Sequence, residues 1–220
     1  MPTVVITGAN RGIGLELARQ FKERGDQVVA VCRKPSDELV DLGVDLVEGI
    51  DVADDAAVGR LATNLEDRTV DVLVNCAGIL SDESLGDLNF DRIRKQFEIN
   101  SLGPLRVTAA LKENLGEGSK VAIVTSRMGS IEDNTSGGRY GYRMSKAAVN
   151  MAGRSLANDL KDDGVAVALL HPGFVRTEMT GHQGLIDPPE SAAGLIARID
   201  EVTLETTGTF WHTNGEVIPW

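Results

Sequence analysis

The stretch RYGYRMSKAAVN, Arg139–Asn150, sets Lys146 four residues after Tyr142. On a helix that spacing puts both side chains on one face, with Cβ atoms roughly 5–6 Å apart. A phenol is a weak acid of pKa about 10, and a neighbouring ammonium favours its phenolate form. Such a pair could pass a proton to or from an oxygen on a bound molecule, the proton half of a carbonyl–alcohol interconversion. Tyr140 is the internal comparison. Four residues beyond it stands Met144, which carries no charge, so Tyr140 is expected to pack or to line a cleft. The plain alternative is an amphipathic helix in which Tyr142 and Lys146 are ordinary neighbours.

A hydride would have to come from a bound cofactor, and a second motif could hold one. TGANRGIG, residues 7–14, carries Gly8, Gly12 and Gly14 with Asn10, Arg11 and Ile13 among them. Glycines at this spacing allow a tight turn and let a pyrophosphate approach a helix N-terminus. The apolar run that follows ends in VVAVCRKP, with no acidic residue before Asp37. An NAD site uses an acidic residue near this point for the ribose 2′-hydroxyl. Here Arg33 and Lys34 follow instead, and Arg11 sits in the glycine loop. Guanidinium groups suit a 2′-phosphate, so NADP(H) is expected in preference to NAD(H), against a plain solvated turn. In GIDVADD, Asp51 beside Val52 could accept a bond from an adenine amino group. It could also cap the helix that starts nearby, a task equally open to Asp54. In NCAG the small Cys76, Ala77 and Gly78 permit close contact with an adenosine ribose.

These motifs need a frame. Val-rich runs at 3–7, 27–32, 44–48, 70–75, 120–126, 165–171 and 208–212 read as strands buried on both faces. Helical patterns lie between them at 12–24, 54–67, 89–115, 142–162 and 189–203. Pro104 falls inside the third and should start a turn there or kink it. The alternation predicts an α/β fold of the Rossmann type, a doubly wound sheet of about seven mostly parallel strands with helices on both faces. Residues 1–220 are expected to form one domain. In such a sheet ligands bind beyond the carboxyl ends of the strands, and each motif above falls at such an end.

Composition narrows the function classes. A net charge of −11 argues against a nucleic-acid binder, which needs a basic field. No apolar run approaches the roughly 20 residues of a membrane span, and the N-terminus lacks the basic start of a signal peptide. The two cysteines form no CxxC and are expected to be free thiols, and the three histidines lack metal-ligand spacing. A cytoplasmic location, with no metal and no membrane partner, follows as the expectation.

Together these segments resemble the short-chain dehydrogenase/reductase family over nearly the whole chain. The carriers are TGANRGIG, the DV of residues 51–52, NCAG, Asn100 in FEINSLGP, VTS at 124–126, YRMSK, and HPGFVRTEM at 171–179. TSRMGSI, YGYRMSKAA and the tail FWHTNGEVIPW are most similar to its C-factor-like, carbonyl-reductase-related branch. The resemblance implies a catalytic tetrad of Asn100, Ser126, Tyr142 and Lys146. It implies that Pro172, Gly173, Val175 and Thr177 cradle the nicotinamide, and that Asn100 lies at a helix distortion and holds a water linked to Lys146. The activity implied is reduction of a small carbonyl compound, or oxidation of the alcohol, and the C-factor branch adds the alternative of a cofactor-binding signalling protein. The helix that carries Tyr142 often packs on a partner subunit in this family, so a homodimer is expected.

The sequence departs from the family at two points. Cys76 replaces the usual Asn of NNAG, and the spacing from Ser126 to Tyr142 is longer than in most relatives, which makes Ser130 a rival. Ser126 is preferred because it is expected to terminate a strand, and a fixed element positions a hydroxyl better than a loop does. At the substrate end, the short EMTGHQGLIDPP suggests an open cleft with Gly181 and Gly184 as hinges. Met179, His182 and Leu185 there select no substrate. Arg127 is read as a surface residue before a carboxylate binder, and Trp220 as docked on the edge of the core.

Overall fold

The computed structural model describes all 220 residues. Seven strands are present: β1 (Thr3–Thr7), β2 (Gln27–Val31), β3 (Asp45–Val47), β4 (Val72–Asn75), β5 (Lys120–Val124), β6 (Ala166–His171) and β7 (Thr209–His212). They form one sheet in the order β3-β2-β1-β4-β5-β6-β7, and every neighbouring pair is parallel. The chain reverses its direction of travel across the sheet between β1 and β4, so their carboxyl ends flank the crevice of a doubly wound fold.

Alternation within β1 shows why these runs are apolar on both faces. Val5 packs with Val58 and Leu61 of α3 (Asp55–Asn64), Val107 of α5 (Gly103–Ala110) and Val149 of α6 (Tyr140–Asp159). Val4 and Ile6 pack on the other face with Leu17 and Phe21 of α1 (Gly12–Glu23) and Leu195 and Ile199 of α7 (Pro188–Glu201). Each large side chain buried in this way contributes about 1.5–3 kcal/mol. No helix is long and apolar enough to cross a membrane.

Three elements differ from the sequence expectation. A five-residue helix, α2 (Asp37–Asp41), follows β2, and the Ser36 hydroxyl accepts a bond from Leu39 N–H as its cap. The segment 89–115 is broken: α4 (Phe90–Phe97) runs into a π turn at Glu98–Leu102, and α5 restarts with Pro104 in its first turn. Pro104 lacks an N–H, which costs nothing where the helical ladder is already displaced. Finally α6 begins at Tyr140, so both tyrosines are helical.

Candidate active site

The glycine loop closes directly on the strand beside it. A Cβ at Gly8 would stand 2.7 Å from the Ala77 Cα, so only glycine lets the loop after β1 lie on the NCAG segment after β4. The Thr7 hydroxyl ties the two loops by accepting from the N–H groups of Cys76 and Ala77, at 3.1 and 3.3 Å. Helix α1 begins at Gly12 with no side-chain cap from Arg11 and no acidic residue in its first turn. Its orphan N–H groups and positive dipole end therefore face the crevice, where an anion is the natural partner.

The crevice is a cleft of about 840 Å³. Of the residues expected to hold a cofactor, Gly8, Asn10, Arg11, Gly12, Ile13 and Gly14 line its β1 side, and Arg33, Asp51 and Val52 line the far end. Cys76, Ala77, Gly78, Tyr142, Lys146, Pro172 and Thr177 line the remainder. Gly173 and Val175 do not. Val175 is buried and bridges to Ile186, so these two residues brace the wall from behind. Asp54 caps α3 by accepting from Ala57 N–H, so Asp51 is released from capping. Asp51 instead accepts from Ala53 N–H and stands 4.0 Å from the Arg33 guanidinium. Lys34 is exposed and outside the lining.

At the inner end the proposed catalytic groups converge. Strand β5 stops at Val124, two residues before Ser126, so the expectation that Ser126 terminates the strand is corrected. Ser126 opens a short 3₁₀ turn at Arg127–Gly129, where its hydroxyl accepts from Met128 N–H at 3.1 Å. The turn is seated on α6 because Gly129 has no side chain: a Cβ there would come within 2.7 Å of the Lys146 backbone. The rival Ser130 is occupied elsewhere, accepting from Asp133 N–H within its own loop.

Tyr142 is buried, and burial is the largest influence on it, raising its pKa above the ordinary phenol value. The nearby Ser126 hydroxyl and the Arg139 guanidinium pull the other way. The expected lowering by Lys146 is not among these influences, although the Lys146 Nζ lies 5.7 Å from the centre of the Tyr142 ring. Lys146 itself is buried and donates to the Val124 carbonyl at 2.9 Å. Burial lowers its pKa to about 8, with the Cys76 thiol opposing weakly. Cys76 is a free thiol whose pKa burial raises to about 11, so it is neutral and poorly nucleophilic.

Asn100 sits in the π turn, as a helix distortion would require. Its carboxamide accepts from Ile79 N–H at 2.8 Å and donates to the Ile79 carbonyl and to the Ser145 hydroxyl. It thus clamps the loop segment following NCAG to the residue next to Lys146. A Cβ at Gly78 would stand 3.3 Å from Asn100 Oδ1 and 3.8 Å from Lys146 Nζ, so the three groups meet at one point.

Sequence reasoning overlooked Arg139, whose charge reaches Tyr142, and the clamp at Ile79. It also overlooked Glu178, which pairs with Arg11 at 2.5 Å across the cleft mouth. Met179 and His182 line the cleft, whereas Leu185 is exposed and outside it. Arg127 pairs with Glu216 and Asp133, the surface role expected of it. Trp220 stacks on Phe210 at the sheet edge, with ring centres 5.7 Å apart.

A glycine loop opening an uncapped helix, at the reversal point of a parallel sheet, defines the class of a dinucleotide-binding fold. The family model for short chain dehydrogenases matches residues 2–185, and the chain belongs to that family. It is 45% identical to 1-hydroxy-2-glutathionyl-2-methyl-3-butene dehydrogenase of Rhodococcus sp. (strain AD45), with all of both chains covered. It is 46% identical to C-signal of Myxococcus xanthus over 72% of this chain and 98% of that one. Among solved structures, a carbonyl reductase from Pseudomonas aeruginosa PAO1 in complex with NADP superposes with a TM-score of 0.87 at 33% identity, covering 100% of each chain.

Proposed function

We propose that the protein is a cytoplasmic, single-domain NADPH-dependent reductase of a carbonyl substrate, or the dehydrogenase of the corresponding alcohol. The observation that carries this reading is the meeting of Tyr142 and Lys146 at the inner end of a cleft that begins at the uncapped N-terminus of α1, with the buried Ser126 hydroxyl beside the Tyr142 phenol just behind the cleft lining. Bound NADPH supplies the hydride. Tyr142 gives its proton to the carbonyl oxygen as negative charge develops there, and its burial keeps that proton in place until then. Ser126 donates a hydrogen bond to the same oxygen, a contribution of the size of an oxyanion-hole donor, about 2.7–4 kcal/mol. Lys146 holds the ribose hydroxyls and places positive charge beside the phenolate left behind. Asn100 positions the loop and helix that carry these groups. Arg33 and Arg11 select the 2′-phosphate of NADP(H) over NAD(H), supported by the lack of any acidic residue at the end of β2.

The test is NADPH oxidation across a panel of aldehydes, ketones and diketones, with a glutathione-conjugated alcohol assayed in the reverse direction because one relative is named for such a compound. The similarity to C-signal favours a second reading, a cofactor-binding regulatory protein. Tight NADPH binding with no turnover on any of these compounds would support it over the enzyme. The exposed Met144 and Met151 on the outer face of α6 support the expected homodimer. A monomer in sedimentation at micromolar concentration would refute that assembly.

A further inference from the structure

We infer that a second hollow beside α6 binds an α-amino-acid group on the substrate, so that the carbonyl compound reduced is an amino-acid or peptide conjugate. This assignment rests on the carbonyl-reductase reading above. The hollow measures about 440 Å³, and Met128 is the only apolar side chain in its lining. It adjoins the proposed catalytic groups through three links. Met128 gives its N–H to the Ser126 hydroxyl. Arg139, just before α6, and Arg143, in its first turn, both line the hollow and flank Tyr142 in the chain. The charge on Arg139 is felt at the Tyr142 phenol.

The charges in the hollow are of both signs and unequally engaged. Arg139 is paired with Asp82 at 2.6 Å. Glu83 is buried and held by Ser81 and Gln96, so it forms the floor. Arg143 bonds only neutral oxygens, those of Gly137 and Ser136. Asp87 is exposed on a turn, and no cation pairs with it. Two carboxylates, Glu83 and Asp87, lack ionic partners, but Glu83 is buried and satisfied by neutral donors, so the hollow offers one guanidinium, Arg143, and one exposed carboxylate, Asp87, with no ion pair between them. A ligand carrying a carboxylate and an ammonium satisfies both: the carboxylate on Arg143, where a guanidinium fork fits it, and the ammonium on Asp87. A simple anion would face three carboxylates, Asp82, Glu83 and Asp87, against two guanidinium groups, which disfavours it.

The test compares 4-(methylthio)butan-2-one, which is neutral, with the cysteine and glutathione adducts of methyl vinyl ketone. All three present a methyl ketone beside a thioether. At least one adduct is expected to show a KM at least tenfold below that of the neutral ketone. Arg143→Ala and Asp87→Asn should each bring the ratio of the two KM values to near one, and Arg143→Lys should restore part of it. The N-acetylcysteine adduct, which lacks the ammonium, should lose most of the preference. Equal KM values for neutral and charged ketones, or a preference that survives both substitutions or N-acetylation, would overturn the assignment. Turnover of the neutral ketone reports separately on the reductase reading. If no ketone is reduced, calorimetric titration with S-methylglutathione and S-methylcysteine, on the wild type and on Asp87→Asn, still decides the site: binding of either that the substitution abolishes supports it, and no binding of either, or binding the substitution leaves intact, refutes it.

Discussion

Arg11, on the glycine loop, is joined to Glu178, on the turn after β6, across the mouth of the nucleotide cleft. The same guanidinium is one of those proposed to meet the 2′-phosphate, so cofactor and carboxylate compete for it. Both side chains are well exposed, and such a pair contributes only about 0.2–1 kcal/mol. Glu178→Gln should therefore tighten NADPH binding by about two- to fivefold and leave NADH nearly unchanged, measured by fluorescence titration. Equal changes for the two cofactors would show that Arg11 does not meet the phosphate.

Arg33 carries the larger share of the expected selectivity, because it lines the cleft at the end of β2 while Lys34 does not. Arg33→Ser should raise the KM for NADPH by tenfold or more and leave that for NADH within about threefold, losing one charge-assisted contact. Tighter NADH than NADPH binding by the unaltered protein would overturn this selectivity altogether.

The two tyrosines separate chemistry from packing. Tyr142 lines the cleft beside Ser126, whereas Tyr140 is half-buried and lines neither hollow. Tyr142→Phe should lower kcat by roughly 10²–10⁴-fold, the span of a lost general acid, with the NADPH dissociation constant little altered. Tyr140→Phe should stay within twofold. Reversed results would sink the assignment.

The serines divide in the same way. Ser126→Ala should lower kcat by about 10²–10³-fold. Ser130→Ala should instead lower the melting temperature slightly, since its hydroxyl holds the loop at Asp133, and spare kcat. Loss of turnover in the Ser130 variant alone would make Ser130 the catalytic serine.

The buried Lys146 sets a pH limit. With its pKa near 8, the ammonium is lost as pH rises through that value, so kcat/KM for reduction should fall on the alkaline side of about pH 8. Stability responds in the opposite sense. Between the folded value and the 10.5 of an ordinary lysine, the unfolded chain binds a proton that the folded chain does not, so this group favours folding increasingly as pH rises. Between about pH 8 and 9, below the range where the buried Cys76 thiol and Tyr142 phenol begin to oppose it, activity declining without a falling melting temperature is the expected signature. Lys146→Arg, which stays charged, should flatten the alkaline limb of whatever activity it retains.

The sheet could be read from the chain because its strands are short apolar runs separated by turn residues, and burial on both faces leaves little ambiguity for the central ones; the edge strand β3 is instead largely exposed. The glycine loop, NCAG and the Tyr–Lys pair were equally legible, since each needs residue types that few other positions require. What escaped was made by tertiary contacts. Helix α2 is too short to show a period, and only Ser36 marks its start. Arg139, whose charge acts on Tyr142, adopts a left-handed conformation, φ 49°, just before α6, which no local pattern announces. Glu178 meets Arg11 across a sequence separation of 167 residues. Ser126, expected to end a strand, instead opens a 3₁₀ turn, because β5 stops two residues earlier.

The π turn at Glu98–Leu102 acts as a phase shifter. An α-helix advances about 100° per residue, so one residue more or fewer rotates everything beyond it by roughly that angle. Ahead of the turn α4 buries Ile93 and Gln96; beyond it α5 buries Val107 and Thr108. Removing a residue within 98–102 would make a straighter and intrinsically better helix. It would also swing Val107 away from the sheet and pull Asn100 off Ile79, so the regular version of this segment is the one the fold cannot use.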